Sequence, residues 1–249
     1  MKGKIEKSGK VVENIKVKEN IFLLKIESHE KISAEAGQFV MIKTSRGSAK
    51  DPLLKRPFAV FDLEGRVFSV LFKVIGRGTY LLSTLKKGEV IEFSGPFGNS
   101  FPLPAKKAIF VSGGSGIASL NFLGKKIHKK TEIKLYYGIK NSHECVPLSF
   151  LSFKPSEHLI ATEDGSLGKK GLVTDFIKIE NGTYYLAGPA KMIREFHGKF
   201  RVDAFASLEE RMACGIGVCM GCGILTETGY KRVCVDGPVF NLSQIKWED

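Results

Sequence analysis

Four cysteines near the end of the chain, Cys214, Cys219, Cys222 and Cys234, constrain it more than any other feature. Their spacing is C-x4-C-x2-C-x11-C. The first three thiols can converge only from a tight loop, and the fourth must return on a separate segment, Tyr230-Lys231-Arg232-Val233-Cys234-Val235. Gly215, Gly217, Gly221 and Gly223 lie in and beside that loop, where positive φ and a missing Cβ let backbone approach a buried group. The spacing is that of thiolate ligands to a [2Fe-2S] cluster, a carrier of single electrons. A structural zinc ion is the alternative, although zinc sites usually pair two C-x2-C knuckles and only Cys219 and Cys222 form one. Disulfides fit poorly, because 249 residues suffice for a core without staples. Cys145 stands apart and reads as a small buried hydrophobe.

Composition excludes several classes. Hydrophobic residues at 43% and charged residues at 26% are those of an ordinary globular chain, not a disordered one. Met1-Lys2-Gly3-Lys4-Ile5-Glu6 opens polar, with no apolar stretch behind it, so no signal peptide is expected. No run of 18 apolar residues predicts a membrane span. Free thiols and a cluster place the chain in the cytoplasm. The net charge is +12, but from Ala206 onward four Lys/Arg face six Asp/Glu, so the first 205 residues carry +14. Those lysines are scattered rather than gathered into basic runs with interleaved aromatics, which argues against nucleic acid. Phosphate-bearing ligands or plain surface solubility account for the excess.

The first hundred residues carry β patterning: Ile15-Lys16-Val17, Ile21 to Ile26, Phe39-Val40-Met41-Ile42, Ala59-Val60-Phe61 and Val67 to Val74. Turn signals at Glu64-Gly65-Arg66, Lys87-Gly88-Glu89 and Gly95-Pro96 separate such runs. This predicts a small antiparallel β-barrel, with one helix over Thr79–Leu85 capped by Thr79. At Pro102-Leu103-Pro104 the texture changes to that of a linker. Strand runs then alternate with helices: Ala108–Val111, a helix through Ile127, Glu132–Gly138, His158–Ala161, a helix around Val173–Ile179, Tyr184–Gly188 and a helix from Pro189. That order predicts an open α/β parallel sheet. The expected fold is thus α+β multidomain: a barrel domain over 1–103, an α/β domain over 104–205 and a small cysteine-bearing segment over 206–249.

Gly113-Gly114-Ser115-Gly116 sits between a strand and a helix, where backbone N–H groups can meet a pyrophosphate. It is not the full dinucleotide fingerprint, and a plain tight turn explains it equally well. Gly188-Pro189 opens a second gap at the same carboxyl edge, the edge at which such sheets bind ligands. In the β half, Arg56-Pro57-Phe58-Ala59 aims a guanidinium beside a fixed-φ proline, a geometry suited to phosphate. Gly76-Arg77-Gly78-Thr79 supplies N–H groups and a hydroxyl at a helix start. Taken singly, each is also ordinary strand-and-turn chemistry; with the cysteines they suggest a flavin.

Arg56 to Ala59, Gly76 to Thr79, Gly95-Pro96-Phe97-Gly98-Asn99, Gly113 to Ile117 and Ala187-Gly188-Pro189-Ala190-Lys191-Met192 occur in the order seen in the ferredoxin–NADP reductase superfamily. Ser207-Leu208-Glu209-Glu210-Arg211-Met212-Ala213-Cys214 and Cys234-Val235-Asp236-Gly237-Pro238-Val239-Phe240 narrow this. With them the chain resembles, over essentially its whole length, the electron-transfer subunits of NAD-linked dihydroorotate dehydrogenases. The resemblance implies an oxidoreductase subunit of pyrimidine biosynthesis with three carriers: NAD(H), FAD and a [2Fe-2S] cluster. Arg56, Pro57, Phe58, Ala59, Leu71, Phe72, Lys73, Gly78 and Thr79 would line FAD, with Arg56 on its phosphates. Gly113, Gly114, Gly116, Gly188 and Pro189 would face NAD(H), and Cys214, Cys219, Cys222 and Cys234 would hold the cluster. A flavin can exchange electrons in pairs with a nicotinamide and singly with a cluster, so it must stand between them. The implied partner is an FMN-containing catalytic subunit, in a heterotetramer with two copies of each chain. No residue here is expected to act on dihydroorotate, since the five histidines form no acid–base set. Two positions depart from the family: Ala59, where a hydroxyl is usual, and the nicotinamide loop, with Ser115 and Ala118. They leave room for a redox adaptor without NAD binding, and related subunits of hydrogenases, sulfur reductases and transhydrogenases form the other alternative.

Overall fold

The computed structural model describes residues 6–47, 49–104 and 106–247, so the polar opening at 1–5 lies outside the described residues. In the first half, β1 (Glu6–Lys18), β2 (Ile21–Ser28), β3 (Phe39–Ile42), β4 (Arg56–Ala59), β5 (Asp62–Glu64) and β6 (Val67–Lys73) precede α1 (Arg77–Ser83) and β7 (Val90–Phe97). The strands form one antiparallel sheet ordered β4-β3-β7-β1-β2-β6-β5. Alternation drives it: Phe68, Val70 and Phe72 of β6 are buried with Leu24 and Ile26 of β2, and Phe68 meets Phe93 of β7 at 4.8 Å. Strands β4 and β5, at the two ends of the order, do not pair with each other. Val60 and Phe61 connect them, their amides donating to the carbonyls of Gln38 and Ser69 at 3.0 and 2.8 Å.

Three local expectations are corrected. The strand expected at Ala59-Val60-Phe61 is displaced, and Arg56–Ala59 itself is the strand. Gly95-Pro96 is no turn but lies inside β7, where Gly95 has φ +112° opposite a register shift between Phe39 and Met41. Glycine and proline thus mark a bulge that bends the strand. The helix starts at Arg77 after Gly76, and Thr79 is its third residue rather than its cap.

The second half holds β8 (Lys107–Gly113), α2 (Ile117–Ile127), β9 (Glu132–Ile139), β10 (Glu157–Thr162), β11 (Lys169–Lys170), β12 (Thr183–Ala187), α3 (Ala190–Lys199) and β13 (Ala204–Ser207). A hairpin, β14 (Gly223–Thr226) and β15 (Gly229–Arg232), precedes β16 (Val239–Asn241). The second sheet runs β11-β10-β9-β8-β12-β13-β16, parallel except for β16, which pairs antiparallel with β13. Uninterrupted apolar strands such as Ile109-Phe110-Val111 and Tyr184-Tyr185-Leu186 are fully buried, as strands covered on both faces must be. The helix expected around Val173–Ile179 is only a 3₁₀ turn, Val173–Asp175. Its β-branched residues are poor helix formers, and Val173 instead packs on Gly138 of β9. No helix among the described residues is long and apolar enough to cross a membrane.

The halves are pinned together by polar contacts at one seam. Fully buried Asn121 of α2 donates to Phe61 O at 2.9 Å and accepts from Ser152 N at 2.8 Å. Lys125 binds both oxygens of Asp62, at 2.7 and 2.9 Å. This seam fixes where the two sheets face each other, and the principal cleft opens between them.

Candidate functional site

A cleft of about 690 Å³ lies between the sheets, within the size range of cofactor sites. Its walls include all nine residues expected at a flavin: Arg56, Pro57, Phe58, Ala59, Leu71, Phe72, Lys73, Gly78 and Thr79. Strand β4 supplies the first four, the end of β6 the next three and the start of α1 the last two. Arg56 is held by Nη1 donating to Leu54 O at 2.7 Å. Thr79 Oγ1 accepts from the amides of Ile75 and Gly76 at 3.0 and 3.2 Å, which shapes the turn into α1. Lys73 is less available than its position suggests, because its ammonium pairs with Glu144 across the cleft at 2.6 Å. A dinucleotide fits the remainder. Gly76 borders open space, and the buried Thr44 hydroxyl beside Gly78 has no hydrogen-bond partner among the described residues.

Sequence reasoning left several lining residues unassigned: Phe39, Asp51, Ser119 and the run Ser207-Leu208-Glu209-Glu210 with Met212. Glu209 is exposed but lines both this cleft and the cavity beside it, and desolvation raises its carboxyl above the usual range. Ser115 and Ala118, the two departures in the nicotinamide loop, also face the cleft.

The five residues expected at NAD(H) come together at the carboxyl edge of the second sheet, but none lines the large cleft. A Cβ on Gly113 would sit 2.6 Å from Pro189 Cδ, and one on Gly188 would sit 2.7 Å from Gly113 N. A Cβ on Gly116 would sit 2.3 Å from Ala187 O. These glycines let the β8–α2 and β12–α3 turns touch. Only Gly114 borders open space, at φ +52°, and Gly188 opens onto a separate cavity of about 220 Å³ beside Glu209 and Trp247.

The cysteines are arranged two and two. Cys214 Sγ accepts from Cys219 N at 3.5 Å in the outer part of the loop, whereas buried Cys222 and Cys234 bring their sulfurs to 3.3 Å. Amides of Cys219, Ile216 and Val218 aimed at Cys214 lower its thiol to about 6, overcoming partial burial. Burial and the neighbouring Cys222 sulfur push Cys234 up to about 12. Thiolate ligands in two pairs, one of them served by backbone N–H donors, fit a binuclear cluster. The loop takes its bend from Gly215 and Gly217 at φ +70° and +82° and, unexpectedly, from Met220 at +61°; Gly221 and Gly223 do not adopt positive φ.

The loop adjoins the cleft, which Met212 and Pro238 on either side of it also line. A Cβ on Gly215 would lie 2.7 Å from Met41 Cγ of β3, and Met41 pairs in register with Pro57 of β4. Phe39, Met41, Cys222 and Cys234 share one buried apolar cluster. Phe39 lines the cleft and Met41, two residues on, faces the same way, so cleft and cysteine loop adjoin on one face of β3.

Comparison with known proteins agrees with this geometry. The model of the iron–sulfur cluster binding domain of dihydroorotate dehydrogenase B matches residues 209–246, which hold all four cysteines. The chain is 37% identical to the "Dihydroorotate dehydrogenase B (NAD(+)), electron transfer subunit" of Clostridium acetobutylicum, over 96% of this chain and 97% of that one. It belongs to the family of dihydroorotate dehydrogenase B electron transfer subunits. The family member of Caldanaerobacter subterraneus is 38% identical, with 93% of this chain and 94% of that one covered. Among solved structures, the NADH-dependent reduced ferredoxin–NADP oxidoreductase studied for flavin-based electron bifurcation aligns with TM-score 0.81 and 27% identity. That alignment covers 96% of this chain and 90% of its counterpart. The ferredoxin reductase of carbazole 1,9a-dioxygenase shares the fold alone, with TM-score 0.67 at 19% identity over 78% of this chain and 64% of that one.

Proposed function

We propose that this chain carries electrons between NAD(H) and the catalytic subunit of an NAD-linked dihydroorotate dehydrogenase, through FAD and a [2Fe-2S] cluster. One observation carries the reading: a cleft of cofactor size and the four-cysteine loop adjoin on one face of β3, where Phe39 lines the cleft and Met41 touches Gly215 of the loop. When bound, the flavin supplies the exchange between paired and single electrons, and the cluster supplies a single-electron port.

The residues divide the work. Arg56 and the turn at Gly76–Thr79 hold the flavin phosphates, while Pro57, Phe58, Ala59, Leu71 and Phe72 wall its ring system. Lys73 stays tied to Glu144 and keeps the two halves in register. Gly114 and the opening at Gly188-Pro189 receive the nicotinamide nucleotide, with Gly113 and Gly116 packing that edge. Cys214, Cys219, Cys222 and Cys234 would hold the cluster. Three units correspond to these tasks, 1–103, 104–205 and 206–249; the first sheet curls into a barrel around its core, and β16 ties the last unit into the second sheet. The partner carries FMN and the dihydroorotate chemistry, in a cytoplasmic assembly with two copies of each chain. Mixing this chain with that partner couples dihydroorotate oxidation to NAD⁺ reduction. Absence of coupling, with both proteins loaded with their cofactors, contradicts the assignment.

A further inference from the structure

Arg232, the last residue of β15, is tied into the cysteine loop rather than left to solvent. Its Nη1 donates to Gly217 O at 3.1 Å, and its Nε and backbone N donate to Asp236 Oδ2 at 3.3 and 2.8 Å. Both side chains are about two-thirds covered, at 34% and 30% exposure. The two segments they join are the two that carry cysteines: Arg232 and Asp236 flank Cys234, and Gly217 lies between Cys214 and Cys219. Contact is close, since a Cβ on Gly217 would sit 3.1 Å from Arg232 Nη1 and 2.6 Å from Val235 Cγ2.

The peptide that accepts the guanidinium is the one between Gly217 and Val218. Its carbonyl takes the Arg232 bond, and two residues on, the amide of Cys219 donates to Cys214 Sγ at 3.5 Å. Asp236, Arg232 and the Gly217 carbonyl therefore form a polar chain that ties the Cys234 segment to the loop of Cys214 and Cys219. Hydrogen bonds to the sulfurs and nearby charge are what set a cluster's potential.

The geometry points to Arg232 as a positioning residue that tunes the cluster by bridging Gly217 and Asp236, with Asp236 holding the guanidinium in place and partly offsetting its charge. Accepting one electron makes the cluster more negative, so a cation held here favours the reduced state and an anion opposes it. Partial burial of the pair limits screening by salt. Removing the cation and removing the anion must then shift the potential in opposite directions, which a purely structural clip does not do.

The inference rests on the four cysteines holding the cluster. Its test is a redox titration of the flavin- and cluster-bearing protein, read by the EPR signal of the reduced cluster, for the parent chain, R232Q, R232K and D236N. R232Q is expected to lower the cluster potential and D236N to raise it. R232K, which keeps the charge without the fork, falls between R232Q and the parent. The flavin potential stays at the parent value throughout. Shifts of the same sign in R232Q and D236N, or no shift in either, overturn the proposal. So does loss of the cluster from both R232K and D236N, because a tuning role requires that it be retained. If R232Q alone fails to hold the cluster, the signs for R232K and D236N decide. A parent protein without the EPR signal fails the cluster reading itself, whereas a parent signal with insensitive variants fails only this inference.

Discussion

Gly116→Ala and Gly114→Ala, two positions apart in the same turn, are expected to behave differently. Gly116 has an ordinary helical φ of −57°, so alanine meets no conformational penalty there. The added Cβ, however, would lie 2.3 Å from Ala187 O, 2.4 Å from Ala187 C and 2.6 Å from Gly188 N. All three are backbone atoms of the neighbouring strand end and cannot rotate away. Overpacking typically costs about 1–3 kcal/mol, and a backbone clash belongs at the upper end. Against it stands a gain of about 0.4–1 kcal/mol from stiffening the unfolded chain. The net is a loss of about 2 kcal/mol, or about 4–8 °C in Tm for a chain of this size. Gly114 has the reverse problem. Its φ of +52° costs alanine about 1–2 kcal/mol, but no neighbour lies within 4 Å, so the net loss is about 1 kcal/mol or less after the same gain. Both variants weaken NADH binding on the proposed reading, so thermal unfolding of the flavin-loaded proteins is the discriminating assay. Equal melting temperatures, or a larger loss in Gly114→Ala, would refute the packing argument.

Asn121→Ala removes the pin between the halves and strands Phe61 O and Ser152 N. At about 1–3 kcal/mol for each orphaned group, urea unfolding should record a loss of about 3 kcal/mol, and less than about 1 kcal/mol contradicts the role given to the seam. Cys219→Ser is expected to abolish the cluster's visible absorption per protein while Cys145→Ser keeps it, because Cys145 is buried far from the loop and donates only weakly to Val146 O at 3.7 Å. Equal bleaching in both would remove the special status of the four. Glu180 is held below the usual carboxylate range by hydrogen bonds from Lys107 and Lys134. Its stabilising contribution is therefore complete above the unfolded value near 4.5 and fades as pH falls through the lower folded one. Acid titrations of stability should show Glu180→Gln weaker than the parent at pH 7 and the gap closing under acid; a gap independent of pH contradicts the pairing.

What could be read in advance was what is encoded locally. The cysteine spacing fixed a loop and a returning segment, and the apolar runs of β2, β6, β8 and β12 announced themselves by length and alternation. That the residues assigned to a flavin line one cleft was legible because each lies in a short motif, and folding only had to gather β4, β6 and the start of α1. Long-range pairing stayed hidden. The segment Glu6–Asn14 is too polar to look like a strand, yet it sits between β2 and β7 and satisfies its backbone there. Val239-Phe240-Asn241 is too short to predict and joins the second sheet only because β13 offers an edge. Gly113, Gly116 and Gly188 have the pattern of phosphate binders, and that they also let two turns touch depends on which backbone lies opposite. Residue type alone makes Thr79 a cap, whereas its hydroxyl reaches back from the third helical position. Ser207 to Glu210 reach the cleft through tertiary structure that no local pattern specifies.

The central claim is a relay in which NADH reduces a flavin and the flavin reduces a cluster on the adjoining loop. Its most direct test is the anaerobic visible spectrum of the purified chain before and after NADH. The account predicts flavin bands together with broad cluster absorption, both bleaching on addition. A colourless protein that retains zinc, or flavin and cluster bands that NADH leaves unchanged, would contradict it.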